Sequence, residues 1–376
     1  PIKRSGQADV VSLDDDWRFI RYGLQADGTR VEEPAGMFEP ATDDSDWETL
    51  DVPHDFAIKG PFRMDLAGNT GRLPFQGIGW YRKTFTVDEA DQGKRFYVDF
   101  DGVMANAQVW LNGEYVGTWP YGYNSFRLDL TPFIQVGKEN LLAVRTDTEK
   151  WDSRWYSGAG IYRHVWLVKT GQVHVRHWGT KIEATNLTDK TADLHLTVEG
   201  ENHMNEDTKA VVKTSVYELD SLDCLGKRVL CFDDQTLPLK AMSAGKINLQ
   251  KRMDDCKRWD IESPNRYMAC VTVRVDGQET DRYYTPFGVR EISVSREGFF
   301  LNGRRVEIKG VCNHHDLGAL GAAFNRSALE RQFRIMREMG CNSIRTSHNP
   351  PAPELLDLAD KTGMLIMDEA FDAWAH

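Results

Sequence analysis

Three short stretches near the end of the chain carry polar side chains in an order that suits an active site. Asn313, His314, His315 and Asp316 follow one apolar run. Arg345, Thr346, Ser347, His348 and Asn349 follow a second, and Asp368, Glu369 and Asp372 follow a third. Imidazole, guanidinium, amide and carboxylate together supply donors, acceptors and titratable groups. A metal is a poor fit to His314 and His315, because adjacent residues leaving a strand point to opposite sides. No metal is expected there. No nucleophile elbow surrounds Cys312, so thiol chemistry is not expected either. Local structural roles compete at each position: His315 or Asp316 capping a loop, and Arg345 with Asp368 forming an ion pair. Far upstream, Arg154 and Trp155 open the Gly-rich segment RWYSGAGIYR. A guanidinium forks two hydrogen bonds and an indole offers a flat apolar face. The alternative is a salt bridge that pins the loop, with Trp155 as packing.

The elements that must position these groups can be read from periodicity. VEIKGV (306–311), CNSIRT (341–346) and MLIMDE (364–369) read as strands. Between the first two lies a helix with Ser327 and Glu330 as a capping box, an apolar stripe of Leu329, Phe333 and Met336, and Gly340 at its end. Between the last two lies a helix starting at Pro353 and ending at Gly363. A doubly wound sheet has the same opening. A (β/α)8 barrel fits better, because it gathers the carboxyl ends of all its strands on one face, where the three polar clusters would meet.

Residues 1–170 read as an antiparallel jelly-roll sandwich, with strand-like runs such as WYRKTFTV (80–87) and NLLAVRTD (140–147) and a hairpin at Asn112-Gly113. Residues 171–288 have the alternation of an immunoglobulin-like sandwich with few catalytic side chains. Residues 289–376, entered through a second hairpin turn at Asn302-Gly303, hold only the first strands and helices of the barrel. The expected fold is therefore multidomain: two β-sandwiches and an incomplete (β/α)8 barrel.

Composition narrows the function classes. The 376 residues are 41% hydrophobic and 27% charged, with a net charge of -11, which disfavours nucleic acid as a partner. No apolar run is long enough to span a bilayer, so no membrane partner is expected. Six cysteines without a CxxC pair read as free buried thiols. The opening PIKRSGQADVV has no secretory pattern and leaves the compartment open. Of eleven tryptophans, nine precede residue 180, Trp151 among them. Sugar rings stack on such faces, but core packing accounts for most of them.

At this point the sequence resembles glycoside hydrolase family 2. The stretch from IKGVCNHHDLG to RTSHNPPAPELLDLAD and on to MLIMDEAFDAW looks like the first barrel segments of its β-galactosidase members. VPHDFAIKGPF, GIGWYRKTF, RWYSGAGIYRHVWL and FGVREISV extend the likeness along nearly the whole chain. The resemblance implies a retaining exo-glycosidase acting on a terminal β-galactoside, with no cofactor and a possible homo-oligomeric state. It implies that the acid/base and nucleophile glutamates, about 5 Å apart in retaining enzymes, lie on later strands outside this chain, so the fragment alone is inactive and Glu369 is not the acid/base. It places His314, His348 and Arg154 in the sugar-binding shell, and Trp155 and Asn349, their sequence neighbours, are expected to bind substrate with them. Some members bind magnesium just after the third strand. Here the run is Asp372-Ala373-Trp374, without the matching histidine. β-Glucuronides or β-mannosides are the alternative substrates, and a non-catalytic carbohydrate-binding protein is the alternative class.

Overall fold

The computed structural model describes residues 4–150 and 152–372. Trp151, Ala373 and Trp374 lie outside the described residues. The first sandwich packs a seven-stranded antiparallel sheet, centred on Trp17–Leu24, Ile78–Thr86, Glu139–Asp147 and Ala107–Leu111, against a four-stranded one. The latter comprises Phe126–Asp129, Arg95–Phe100, Val165–Thr170 and Val10–Ser12. Alternation fills the space between them: Trp17, Phe19, Val98, Phe100, Val109 and Val144 are all buried in one cluster. Trp47, Trp80 and Trp110 are buried against the outer face of the larger sheet. Asn112 and Gly113 both have positive φ, 55° and 85°, and make the tight turn between Ala107–Leu111 and Glu114–Trp119.

The second sandwich packs Val173–Thr185, Ala192–Asn202 and Ser243–Met253 against a six-stranded sheet that includes Thr208–Leu219, Arg266–Val275 and Gln278–Phe287. Ala192–Asn202 alternates strictly between buried and half-buried residues. The six-stranded sheet also takes in Gly6–Gln7, which pair with Tyr284 and Tyr283. The chain thus touches the second sandwich before it builds the first, and a two-residue strand leaves no periodicity to announce this.

Three parallel strands follow, Gly310–Asn313, Ser343–Thr346 and Leu365–Met367, with helices Arg326–Glu338 and Pro353–Thr362 between them. This is the order in which a (β/α)8 barrel opens. Leu329, Phe333 and Met336 are buried against Ile344 and Leu358, as the stripe requires. The helix start differs from expectation. Asn325 is the N-cap, extended in backbone, with its side chain accepting from the Ala328 amide at 3.0 Å. Ser327 is already inside the first turn and Glu330 pairs with Arg326 at 2.9 Å. The better-placed cap two residues upstream takes the free amide first. VEIKGV also divides: Arg304–Val306 closes an antiparallel hairpin with Gly298–Leu301, and the barrel strand starts only at Gly310.

The six thiols are free, but only Cys256 is buried. Cys231 ends the strand Leu225–Cys231, and Cys312 lies on the side of the parallel sheet turned away from the helices. Among the described residues no helix is long and apolar enough to cross a membrane.

Candidate active site

The site forms where a loop of the first sandwich meets the carboxyl ends of the barrel strands. Asp55 makes that meeting possible. Its buried carboxylate accepts from the amides of Ala57 (3.0 Å), Ala159 (3.0 Å) and Ala322 (2.9 Å) and from the Tyr156 hydroxyl (2.6 Å). Three separate chain segments are thereby held by one side chain. Burial pushes the Asp55 carboxyl up, against the four hydrogen bonds that favour its charge. Gly158, at φ 69°, lets the loop come this close. A Cβ there would sit 2.4 Å from the Ala322 methyl and 2.9 Å from Asp55 Oδ2. Arg163, also buried, donates to the carbonyls of Tyr123 (2.8 Å) and Pro350 (2.9 Å), binding sandwich to barrel a second time.

These contacts bring Trp155, His314 and His348 together. The Trp155 indole stacks on His314 with centroids 5.3 Å apart and rings 13° from parallel, and meets His348 edge-on at 5.5 Å. His314 donates from Nδ1 to the Ser347 carbonyl at 2.7 Å, which leaves its Nε2 with the lone pair. His348 donates from Nδ1 to Glu369 Oε2 at 2.8 Å, and the other Glu369 oxygen accepts from Arg345 Nε at 2.5 Å. Burial opposes ionisation of Glu369, but the His348 and Arg345 hydrogen bonds outweigh it and hold the carboxyl below its usual range. The partner of Arg345 is therefore Glu369 and not Asp368, as the sequence led us to expect. Asp368 accepts from Thr346 Oγ1 at 3.3 Å instead. Successive side chains leave a strand on opposite sides, and only Glu369 shares the side of Arg345.

An open cleft of about 240 Å³ runs along this rim, lined by Tyr121, Tyr123, Arg154, Trp155, His348 and Asp372 among others. Arg154 is half-exposed and ion-paired with Asp372. Trp155 is only 9% exposed, so it meets the cleft by an edge and its stacked face belongs to His314. The two adjacent histidines do diverge: His315 Nε2 donates to the Ser157 carbonyl at 2.9 Å, with its ring enclosed by Tyr123 and Tyr162. Burial pushes its pKa down to about 3. Asn349 is buried and donates to the Pro350 carbonyl at 3.0 Å; it and His314 both line a small cavity of about 40 Å³ under the rim, beside the open cleft that His348 lines. Asp55, Tyr121 and Tyr123 escaped sequence reading. The HD pair of VPHDF is the one visible trace of Asp55, and nothing in its spacing tells a loop pin from a surface acid.

Comparison with known proteins follows the same division. The description "Glycosyl hydrolases family 2, sugar binding domain" matches residues 11–171, "Glycosyl hydrolases family 2" matches 173–290, and "Glycosyl hydrolases family 2, TIM barrel domain" matches 292–373. The chain is 46% identical over 367 residues to beta-galactosidase BoGH2A of Bacteroides ovatus, which covers 96% of this chain and 41% of that protein. It superposes with a TM-score of 0.89 and 34% identity on the crystal structure of a glycosyl hydrolase family 2 member from Bacteroides cellulosilyticus, covering 97% of this chain and 46% of that one. Bacteroides uniformis beta-glucuronidase 2 is similar at a TM-score of 0.81 and 26% identity, over 96% of this chain and 42% of that one. The chain spans less than half the length of each of these relatives.

Proposed function

This chain belongs to glycoside hydrolase family 2, and on that premise we propose that the protein containing it is a retaining exo-β-glycosidase that releases terminal β-galactose. In this reading the chain supplies the sugar-recognising rim. His314, His348 and Arg154 hydrogen-bond hydroxyls of the terminal sugar, and Trp155 fixes the two imidazoles. The catalytic carboxylates come from elsewhere in the whole protein. The carboxylates described on this rim, Glu369 and Asp372, are each already engaged by an arginine.

One observation favours a neutral sugar over a uronic acid. Both arginines at the rim are ion-paired: Arg154 with Asp372, and Arg345 with Glu369. On the part of the rim that this chain supplies, a glucuronate carboxylate would meet two arginines already ion-paired. The similarity to BoGH2A points the same way, and the similarity to beta-glucuronidase 2 keeps the glucuronide as the competing substrate. The test is kcat/KM of the full-length protein on a chromogenic β-galactoside and the matching β-glucuronide. The galactoside should be preferred by about tenfold or more. Preference for the glucuronide would transfer the protein to the other substrate class.

A further inference from the structure

His174 and Glu201 are direct cross-strand partners in the ladder between Val173–Thr185 and Ala192–Asn202. Directly opposite residues on one face have their side chains in reach of each other. His203 lies two residues beyond Glu201, and its amide continues the ladder by donating to the Gln172 carbonyl at 2.9 Å. The period of two returns His203 to the side of Glu201. Two imidazoles and one carboxylate thus converge at the seam between the sandwiches, with ligating atoms all within 4.8 Å of one another.

The geometry within this cluster is not that of hydrogen bonding. Glu201 Oε2 lies 3.6 Å from His174 Nε2 and 3.5 Å from His203 Nε2. These spacings match the edge of a tetrahedron around an ion with bonds of about 2.0–2.1 Å, roughly 3.4 Å. The rings of His174 and His203 lie parallel, 3° apart in plane, at 5.2 Å. His174 is within 3.2 Å of the Gly171 carbonyl through Nδ1, so Nδ1 carries the proton and Nε2 the lone pair. The buried Nε2 of His203 has no hydrogen-bond partner among the described residues. Arg176 Nε approaches Glu201 Oε1 at 3.3 Å, leaving Oε2 facing both imidazoles. The Tyr97 hydroxyl, from the first sandwich, accepts from Arg95 at 2.8 Å and donates to His174 Nε2 at 3.3 Å, a hydrogen bond that a bound cation would displace.

We propose that His174, Glu201 and His203 form a site for a first-row divalent cation, Zn2+ foremost, that cross-links the first two strands of the second sandwich at its seam with the first. Two imidazoles and a carboxylate are a zinc ligand set, and water completes the tetrahedron. The site shares no residue with the sugar cleft and is separate from the glycosidase reading.

The test uses the full-length protein, stripped with chelator and titrated with ZnCl2. Wild type should bind at this site and gain several degrees in Tm, reversed by chelator. Glu201→Gln and His203→Gln should each weaken binding at least about tenfold and lose the gain in Tm, whereas His195→Gln, a surface histidine bonded to Thr185, should keep both. Co2+ in place of Zn2+ should give the intense visible absorption of a four-coordinate ion in wild type, which does not depend on the stability of any variant. The absence of that absorption, or a gain in Tm that persists in Glu201→Gln and His203→Gln, would overturn the assignment.

Discussion

His314 and His348 differ from ordinary surface histidines in having one ring nitrogen committed and the other uncommitted by the same hydrogen bond. That fixes tautomer and orientation before any ligand arrives, which is how a polar rim discriminates hydroxyl patterns. Substituting either by Ala in the full-length protein should lower kcat/KM by about ten- to a hundredfold, since each loses a hydrogen bond worth about 1–3 kcal/mol at a desolvated rim. Steady-state kinetics with unchanged circular dichroism would check this. His315 predicts a pH effect. Its pKa is near 3 in the folded chain and about 6.5 unfolded. Below pH 6.5 the unfolded chain takes a proton that the folded one refuses, so this histidine lowers stability progressively as pH falls toward 3 and has no effect above 6.5. Buried Asp101 and Asp281, both raised to about 6, act in the opposite sense between pH 6 and their unfolded range. The contribution is therefore read as a difference: Tm of His315→Gln should fall less steeply than wild type between pH 6.5 and 4. His314 and His348 stand out in the sequence because they follow strand ends and imidazole suits hydroxyl recognition, and Trp155 because it opens a Gly-rich loop; that the three rings meet is visible only in the fold. Asn349 follows the same strand end as His348, but its amide is turned to the Pro350 carbonyl, which local sequence does not record.

At the level of elements, the site depends on a loop held against its neighbours by Asp55 and Gly158. Asp55→Asn replaces one acceptor oxygen by an NH2 that faces amide donors. A change of this kind should cost about 2–4 kcal/mol, read as a lower denaturation midpoint, with activity falling because the loop no longer holds Trp155 against the histidines. Gly158→Ala should act in the same direction through the clash with Ala322. A stable, fully active Asp55→Asn protein would show that the loop is held by other contacts. The hairpins at Asn112 and Asn302, the Pro353 start and the Gly363 stop were legible, because each follows from the backbone freedom of a single residue. The split of VEIKGV and the cap at Asn325 were not. Both are decided by a partner strand or an amide elsewhere in space, which local periodicity does not record.

At the scale of the whole molecule, two sandwiches and a barrel opening are joined through a few buried polar contacts. Trp259 of the second sandwich donates to the Asp360 carbonyl on the second barrel helix at 2.7 Å, and Arg163 ties the first sandwich to Pro350. The fold class was readable because each domain keeps its own hydrophobic period, and the order of domains follows the chain. The assembly of the rim was not, since it brings together residues more than 150 positions apart, such as Ser157 and His315. The central claim is that the sandwich loop completes the sugar site, and Arg154 tests it most directly. Its ion pair with Asp372 is half-exposed and so adds little to stability, about 0–1 kcal/mol. The measurement is kcat/KM on a chromogenic β-galactoside, with Tm alongside, for Arg154→Ala in the full-length protein. The account predicts a fall of about tenfold or more in kcat/KM, with KM raised, kcat lowered and Tm essentially unchanged. Unchanged kinetics with a lowered Tm would contradict it and leave Arg154 a purely structural pin.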